Sequence, residues 1–157
     1  MKFPLRTFLV ALAAMAASHF GLAAEPAAAP RVIKITAGAE NAMKFDVTSI
    51  SASPGELITV VLTNAGTLPK TVMGHNWILL QPGTDPVAFA AAASSETENG
   101  YIPSKPGGSM LAHINLLGPG ESGEVTFTAP REPGQYPFLC SFPAHCLVGM
   151  KGVLVVK

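Results

Sequence analysis

The chain has 157 residues, with ten basic and ten acidic side chains, 14 prolines, 15 glycines and two cysteines. Charge so sparse and balanced offers no basic face to a nucleic-acid backbone, and the length suits one domain with its own core. The many turn-formers point to short strands with tight connections.

Lys2 and Arg6 precede the apolar run Phe8-Leu9-Val10-Ala11-Leu12-Ala13-Ala14-Met15-Ala16-Ala17, and the small residues of Gly21-Leu22-Ala23-Ala24 follow. That order predicts a secretory signal peptide over residues 1–24; the run is too short for the roughly 20 apolar residues of a spanning helix. The expectation is therefore a periplasmic protein, with no membrane span after cleavage. Without Lys2 and Arg6 the mature chain carries a net charge of −2. Residues 25–30 read as a flexible Pro/Ala tether, and residues 31–157 as one domain.

Val32-Ile33-Lys34-Ile35 opens β-type sequence, and Met43-Lys44-Phe45-Asp46-Val47 continues it beyond a turn. After the turn Ser53-Pro54-Gly55, the run Leu57-Ile58-Thr59-Val60-Val61-Leu62-Thr63-Asn64 is β-branched, with Ile58, Val60 and Leu62 on one face. Residues 71–80 read as a strand bent at Gly74. The alanines of residues 87–95 have high helix propensity and predict the one helix, laid against a sheet. Further strands are expected over residues 110–115, 123–129, 134–140 and 152–156, the last apolar on both faces and so interior. Seven or eight short strands with one helical insertion indicate an all-β, Greek-key β-sandwich.

Residues 140–150 read C-S-F-P-A-H-C-L-V-G-M and hold a thiolate donor, an imidazole and a thioether. Soft sulfur ligands with imidazole suit copper better than magnesium, calcium or manganese. The default reading of Cys140 and Cys146 in a secreted chain is a disulfide; the His and Met beside them make a metal loop the competing one. A His₂Cys set with an axial Met needs a second histidine, and on composition His75 and His113 are both open. His113 alternates with Ala112 and Ile114 along a strand and reads as partly exposed, whereas a bend at Gly74 could aim His75 inward.

Gly74-His75-Asn76-Trp77, the loop from Cys140 to Met150, and Gly66-Thr67-Leu68-Pro69-Lys70 together resemble the cupredoxins, and the azurin-like blue copper proteins among them. The resemblance runs from about Ile35 to Lys157. It implies that His75, Cys140 and His145 are equatorial copper ligands, that Met150 is a long axial ligand, and that the Gly74 carbonyl is a weak contact opposite it. It further implies that the amides of Asn76 and Phe142 donate to the cysteine sulfur, and that His113 is a surface residue. Three features depart from the azurin pattern. Met150 lies five residues after His145, a spacing similar to that of the auracyanins, rusticyanin and plastocyanin. No cysteine precedes Cys140, so the N-terminal disulfide and its ~2–4 kcal/mol have no counterpart. Cys146 stands at a position usually without a thiol, and reads either as a small apolar filler or as a redox-sensitive group.

The function implied is one-electron transfer through a single type 1 copper ion cycling between Cu(I) and Cu(II). A copper carrier or buffer without a redox role is the alternative. An enzyme would need further copper sites and more histidines, and a zinc site on both cysteines would be crowded by adjacent His145. The expected partners are redox proteins, such as c-type cytochromes or copper/haem reductases. They would meet an apolar patch of Met73, Phe142, Pro143, Ala144, Leu147 and Val148, in which the edge of His145 is exposed.

Overall fold

Alternating apolar residues build eight strands among the described residues: β1 (Arg31–Ala37), β2 (Ser49–Ala52), β3 (Leu57–Asn64), β4 (His75–Leu80), β5 (Met110–Leu117), β6 (Ser122–Thr128), β7 (Gly134–Leu139) and β8 (Lys151–Val156). The computed structural model describes residues 29–105 and 107–157. The signal peptide expected over residues 1–24, and residues 25–28 of the tether, lie outside the described residues.

The strands form the two sheets of the expected β-sandwich, in the orders β1-β3-β6 and β2-β8-β7-β4-β5. Ile58, Val60 and Leu62 of β3 are fully buried between the sheets, where they meet Trp77, Phe138 and Leu154 of the larger one. Each such aliphatic side chain contributes roughly 1.5–3 kcal/mol by leaving water. Trp77 stacks on Phe127 of the opposite sheet, with ring centroids 6.1 Å apart. β8 is interior, as its sequence suggests, pairing with β2 in parallel and with β7 antiparallel.

Every residue of β4 is buried. Its inner face enters the main core, while Ile78 and Leu80 on its outer face join Phe89, Ile102, Leu139 and Cys146 in a second cluster. That cluster forms because helix α2 (Pro86–Ala93) lies over the sheet. The Asp85 carboxylate accepts from the amides of Val87 and Ala88, and Pro86 occupies the first turn, where its missing N–H costs nothing.

Two segments depart from the sequence reading. Residues 43–47 make only a single bridge, Phe45 to Ala37; Phe45 is buried, but no ladder surrounds it. Residues 71–73 are not strand. With Lys70 they form a one-turn helix, α1 (Lys70–Met73), after Pro69, so the expected helix, present over residues 86–93, is not alone. Gly74 then returns to extended backbone at φ −70, ψ 151, and β4 begins. A side chain at Gly74 would strike the Lys70 carbonyl and Leu116, with a Cβ only 2.6 and 2.9 Å from them. Glycine is therefore what allows α1 to close onto the strand.

Candidate metal centre

The β4 strand brings His75, and the end of β7 brings Cys140, to one end of the sandwich. The loop after β7 turns back at once: the His145 amide donates to the Phe142 carbonyl at 3.1 Å, and the Met150 amide to the His145 carbonyl at 2.9 Å. The Cys140 amide donates in turn to the Met150 carbonyl at 3.1 Å, so the loop closes on its own backbone. Gly149, just before Met150, has a φ of +110, which an L side chain rarely adopts.

The donor atoms of His75, Cys140 and His145 lie within 4.8 Å of one another. The Cys140 sulfur is 3.5 Å from His145 Nδ1, and the two imidazole centroids are 4.9 Å apart. Cys140 and Met150 are fully buried. Both ring nitrogens of His75 are buried with no hydrogen-bond partner, an arrangement that costs about 1–3 kcal/mol per polar group unless something else satisfies it. A soft or borderline metal ion bound by one of those nitrogens does so. The donor set and its geometry thus fit copper.

Burial shapes the titration of all three groups. It lowers His75 to about 4. It lowers His145 to about 4 as well, helped by the proximity of His75. It raises the Cys140 thiol to about 12, against the opposing pull of the Asn76 and Phe142 amides, which donate to the sulfur. At neutral pH both imidazoles are therefore uncharged, as metal ligands must be, and the thiol keeps its proton until a metal displaces it.

Behind the ligands, Asn76 and Ser141 bond to each other. Asn76 also donates to the Gly100 carbonyl at 3.1 Å, and the Ser141 hydroxyl donates to the Tyr101 carbonyl. The amide donors of Asn76 and Phe142 are foreseeable from the resemblance, but these side-chain bridges are not. A polar pair directly following two ligands, Asn after His75 and Ser after Cys140, is the signal that could have found them.

The structure corrects the sequence reading of His145. Its ring edge was expected at the surface, yet the residue is only 1% exposed. Its ring lies between His75 and Phe142, the latter with centroids 4.7 Å away, and Phe142 is itself buried under Tyr101. The apolar surface outside it is made by Leu147 and Val148, which are 70% and 59% exposed, with Pro143 and Ala144. Val72 of α1 is exposed as well, while Met73 is half-buried. Cys140 and Cys146 are both free, so the disulfide reading is not realised, and Cys146 fills the second core cluster. His113 is exposed on β5.

The sequence profile described as copper binding proteins, plastocyanin/azurin family, matches residues 32–157. An azurin of Pseudomonas fluorescens biotype C is 38% identical over 129 residues, which are 79% of this chain and 98% of that protein. Auracyanin-B of Chloroflexus aurantiacus is 36% identical over 119 residues, covering 75% of this chain and 49% of its own length. Among solved structures, auracyanin B superposes with a TM-score of 0.72 at 33% identity, over 83% of this chain and 91% of the other. Auracyanin A, described as a "blue" copper protein from Chloroflexus aurantiacus, gives a TM-score of 0.68 at 33% identity, over 82% and 100%.

Proposed function

The chain belongs to the plastocyanin/azurin family of copper-binding proteins, and from that premise we propose that His75, Cys140 and His145 would hold its copper ion, with Met150 and the Gly74 carbonyl as weaker contacts. The protein is an electron carrier with a blue copper centre. The observation that carries the ligand assignment is the convergence of three buried donors within 4.8 Å, together with the partnerless nitrogens of His75.

When bound, copper supplies a one-electron couple, with thiolate and thioether favouring Cu(I) and imidazole accommodating both states. The protein's part is to keep the donors still. Cys140 stands at the end of a strand, its sulfur held by two amides. His75 opens a wholly buried strand, and the loop carrying His145 and Met150 is pinned at both ends by main-chain bonds. Amides directed at the sulfur withdraw charge from it and help to set the potential. Water is kept from Cys140 and Met150, both fully buried. Donors so enclosed favour a carrier of electrons over a buffer that must release its ion readily, and they offer substrate no path to the metal, which favours a carrier over an enzyme.

Electrons would pass through the apolar face of Pro143, Ala144, Leu147 and Val148. Contiguous exposed apolar side chains of this kind mark partner surfaces, here for redox proteins such as c-type cytochromes or copper/haem reductases. The signal-like residues 1–24 support a periplasmic location, and no helix among the described residues is long and apolar enough to cross a membrane.

Adding Cu(II) to the purified protein tests the reading. An intense thiolate-to-copper band with narrow EPR hyperfine splitting is the expected result, lost in Cys140→Ser and retained in Cys146→Ala. A colourless complex, or colour that follows Cys146, would overturn it. Leu147→Glu should keep the spectrum and slow electron exchange with a cytochrome; unchanged exchange would remove the apolar face from the mechanism.

A further inference from the structure

Gly38 joins β1 to the turn Ala39–Asn41 with φ 71 and ψ 16. A Cβ placed on it would lie 2.5 Å from His75 Nε2, 2.8 Å from His75 Cδ2 and 2.9 Å from Asn64 Oδ1. Distances so short mean that the Gly38 backbone rests directly on the outer edge of the His75 imidazole. Asn64 cannot easily withdraw. Its Nδ2 donates to the Leu117 carbonyl at 3.1 Å, and its Oδ1 accepts from the Gly66 amide at 2.9 Å. The His75 ring is therefore confined, with the Nε2–Cδ2 bond against Gly38 and His145 nearby at a centroid distance of 4.9 Å. In an imidazole the vertex opposite that bond is Nδ1, which leaves Nδ1 as the nitrogen turned away from Gly38.

We infer that Gly38 is a positioning residue of the metal centre: its bare backbone is the wall that fixes the His75 ring and presents Nδ1 to the ion. The inference rests on His75 being a ligand, as proposed above. Groups that orient a ligand in this way typically change metal affinity by about 10–100-fold when altered.

Gly38→Ala carries two effects, a left-handed backbone at an L residue and a clash with the imidazole. Gly55→Ala isolates the first, because Gly55 has φ +77 and nothing within 4 Å of its would-be Cβ. Two measurements separate them: Cu(II) affinity with EPR on each variant, and urea unfolding of the copper-free protein in a double-mutant cycle with His75→Ala. Gly38→Ala should bind Cu(II) at least about tenfold more weakly than Gly55→Ala, with altered hyperfine splitting. Its excess destabilisation should shrink when His75 is Ala, leaving only the part due to Asn64. Equal affinity and spectra for the two glycine variants, or no coupling to His75, would overturn the inference. If Gly38→Ala alone does not fold, removing the imidazole should restore folding in Gly38→Ala/His75→Ala; a double variant no more stable than Gly38→Ala would also overturn it. The copper-free cycle is independent of the ligand assignment, which fails separately if the unaltered protein takes up no Cu(II).

Discussion

Asn76 and Ser141 bind each other twice: the Ser141 amide donates to Asn76 Oδ1 and Asn76 Nδ2 donates to Ser141 Oγ, both at 2.8 Å. Each residue immediately follows a proposed ligand, His75 and Cys140. Their bridge ties the start of β4 to the end of β7, beyond the last rung, Ile78 to Leu139, that pairs those strands. Asn76→Ala removes the acceptor of a buried amide and the donor to two oxygens. A destabilisation of about 1–3 kcal/mol is expected from the groups left unpaired, with Ser141→Ala at the lower end. Urea midpoints of the copper-free variants measure it.

Stability of the copper-free protein should be greatest near neutral pH. His75 and His145 are held at about 4, against an ordinary 6.5. Between those values the unfolded chain binds protons that the native one refuses, so stability falls as pH drops from 6.5 towards 4. Cys140 is held at about 12, against an ordinary 9. There the native state keeps a proton that the unfolded one releases, so stability also falls as pH rises from 9 towards 12. Unfolding midpoints across this range should form a plateau with two shoulders; a midpoint still rising as pH falls below 6.5 would contradict the acid limb.

Metal uptake should release one proton. With both imidazoles neutral and the thiol protonated at pH 7, only Cys140 has a proton to lose. Titrating Cu(II) into weakly buffered protein at that pH should liberate one proton per ion bound. Apparent affinity should accordingly rise about tenfold per pH unit around neutrality. Cys140→Ser is the control, and Cys146→Ala should leave the count unchanged.

Ala144 precedes His145 with φ 70, in the left-handed region that glycine tolerates and alanine does not. Ala144→Gly should relieve roughly 1 kcal/mol of backbone strain, less what the more flexible unfolded chain takes back. A net gain of a few tenths of a kcal/mol is expected in the copper-free protein. Thermal unfolding of the two proteins side by side checks the sign.

Legibility from sequence followed the range of each interaction. The strand Leu57–Asn64 could be read because its alternation is local and each inward residue meets the same core. The loop from Cys140 to Met150 could be read because its donors are close in the chain. Residues 71–73 misled, since Thr71 and Val72 favour strand by propensity, while Pro69 and the glycine after Met73 permit a helical turn. Phe45 likewise reads as strand, yet it is buried from a segment with a single bridge. The burial of His145 was the least accessible feature. It depends on Phe142, Tyr101 and His75 arriving from three separate segments, and no window of sequence contains them all.

The strand Lys151–Val156 stands between Ser49–Ala52 and Gly134–Leu139 in the larger sheet. Until it docks, Ser49–Ala52 has no partner in the sheet, Gly134–Leu139 is paired on one edge only, and the Cys140 amide lacks the Met150 carbonyl. Its pairing with Ser49–Ala52 joins segments far apart in the chain, and such contacts form late and slowly. The sandwich therefore closes late in folding, and until it does the chain has no enclosed place for an ion. Ion capture is thereby tied to the pairing of distant strands, although the loop from Cys140 to Met150 is itself local.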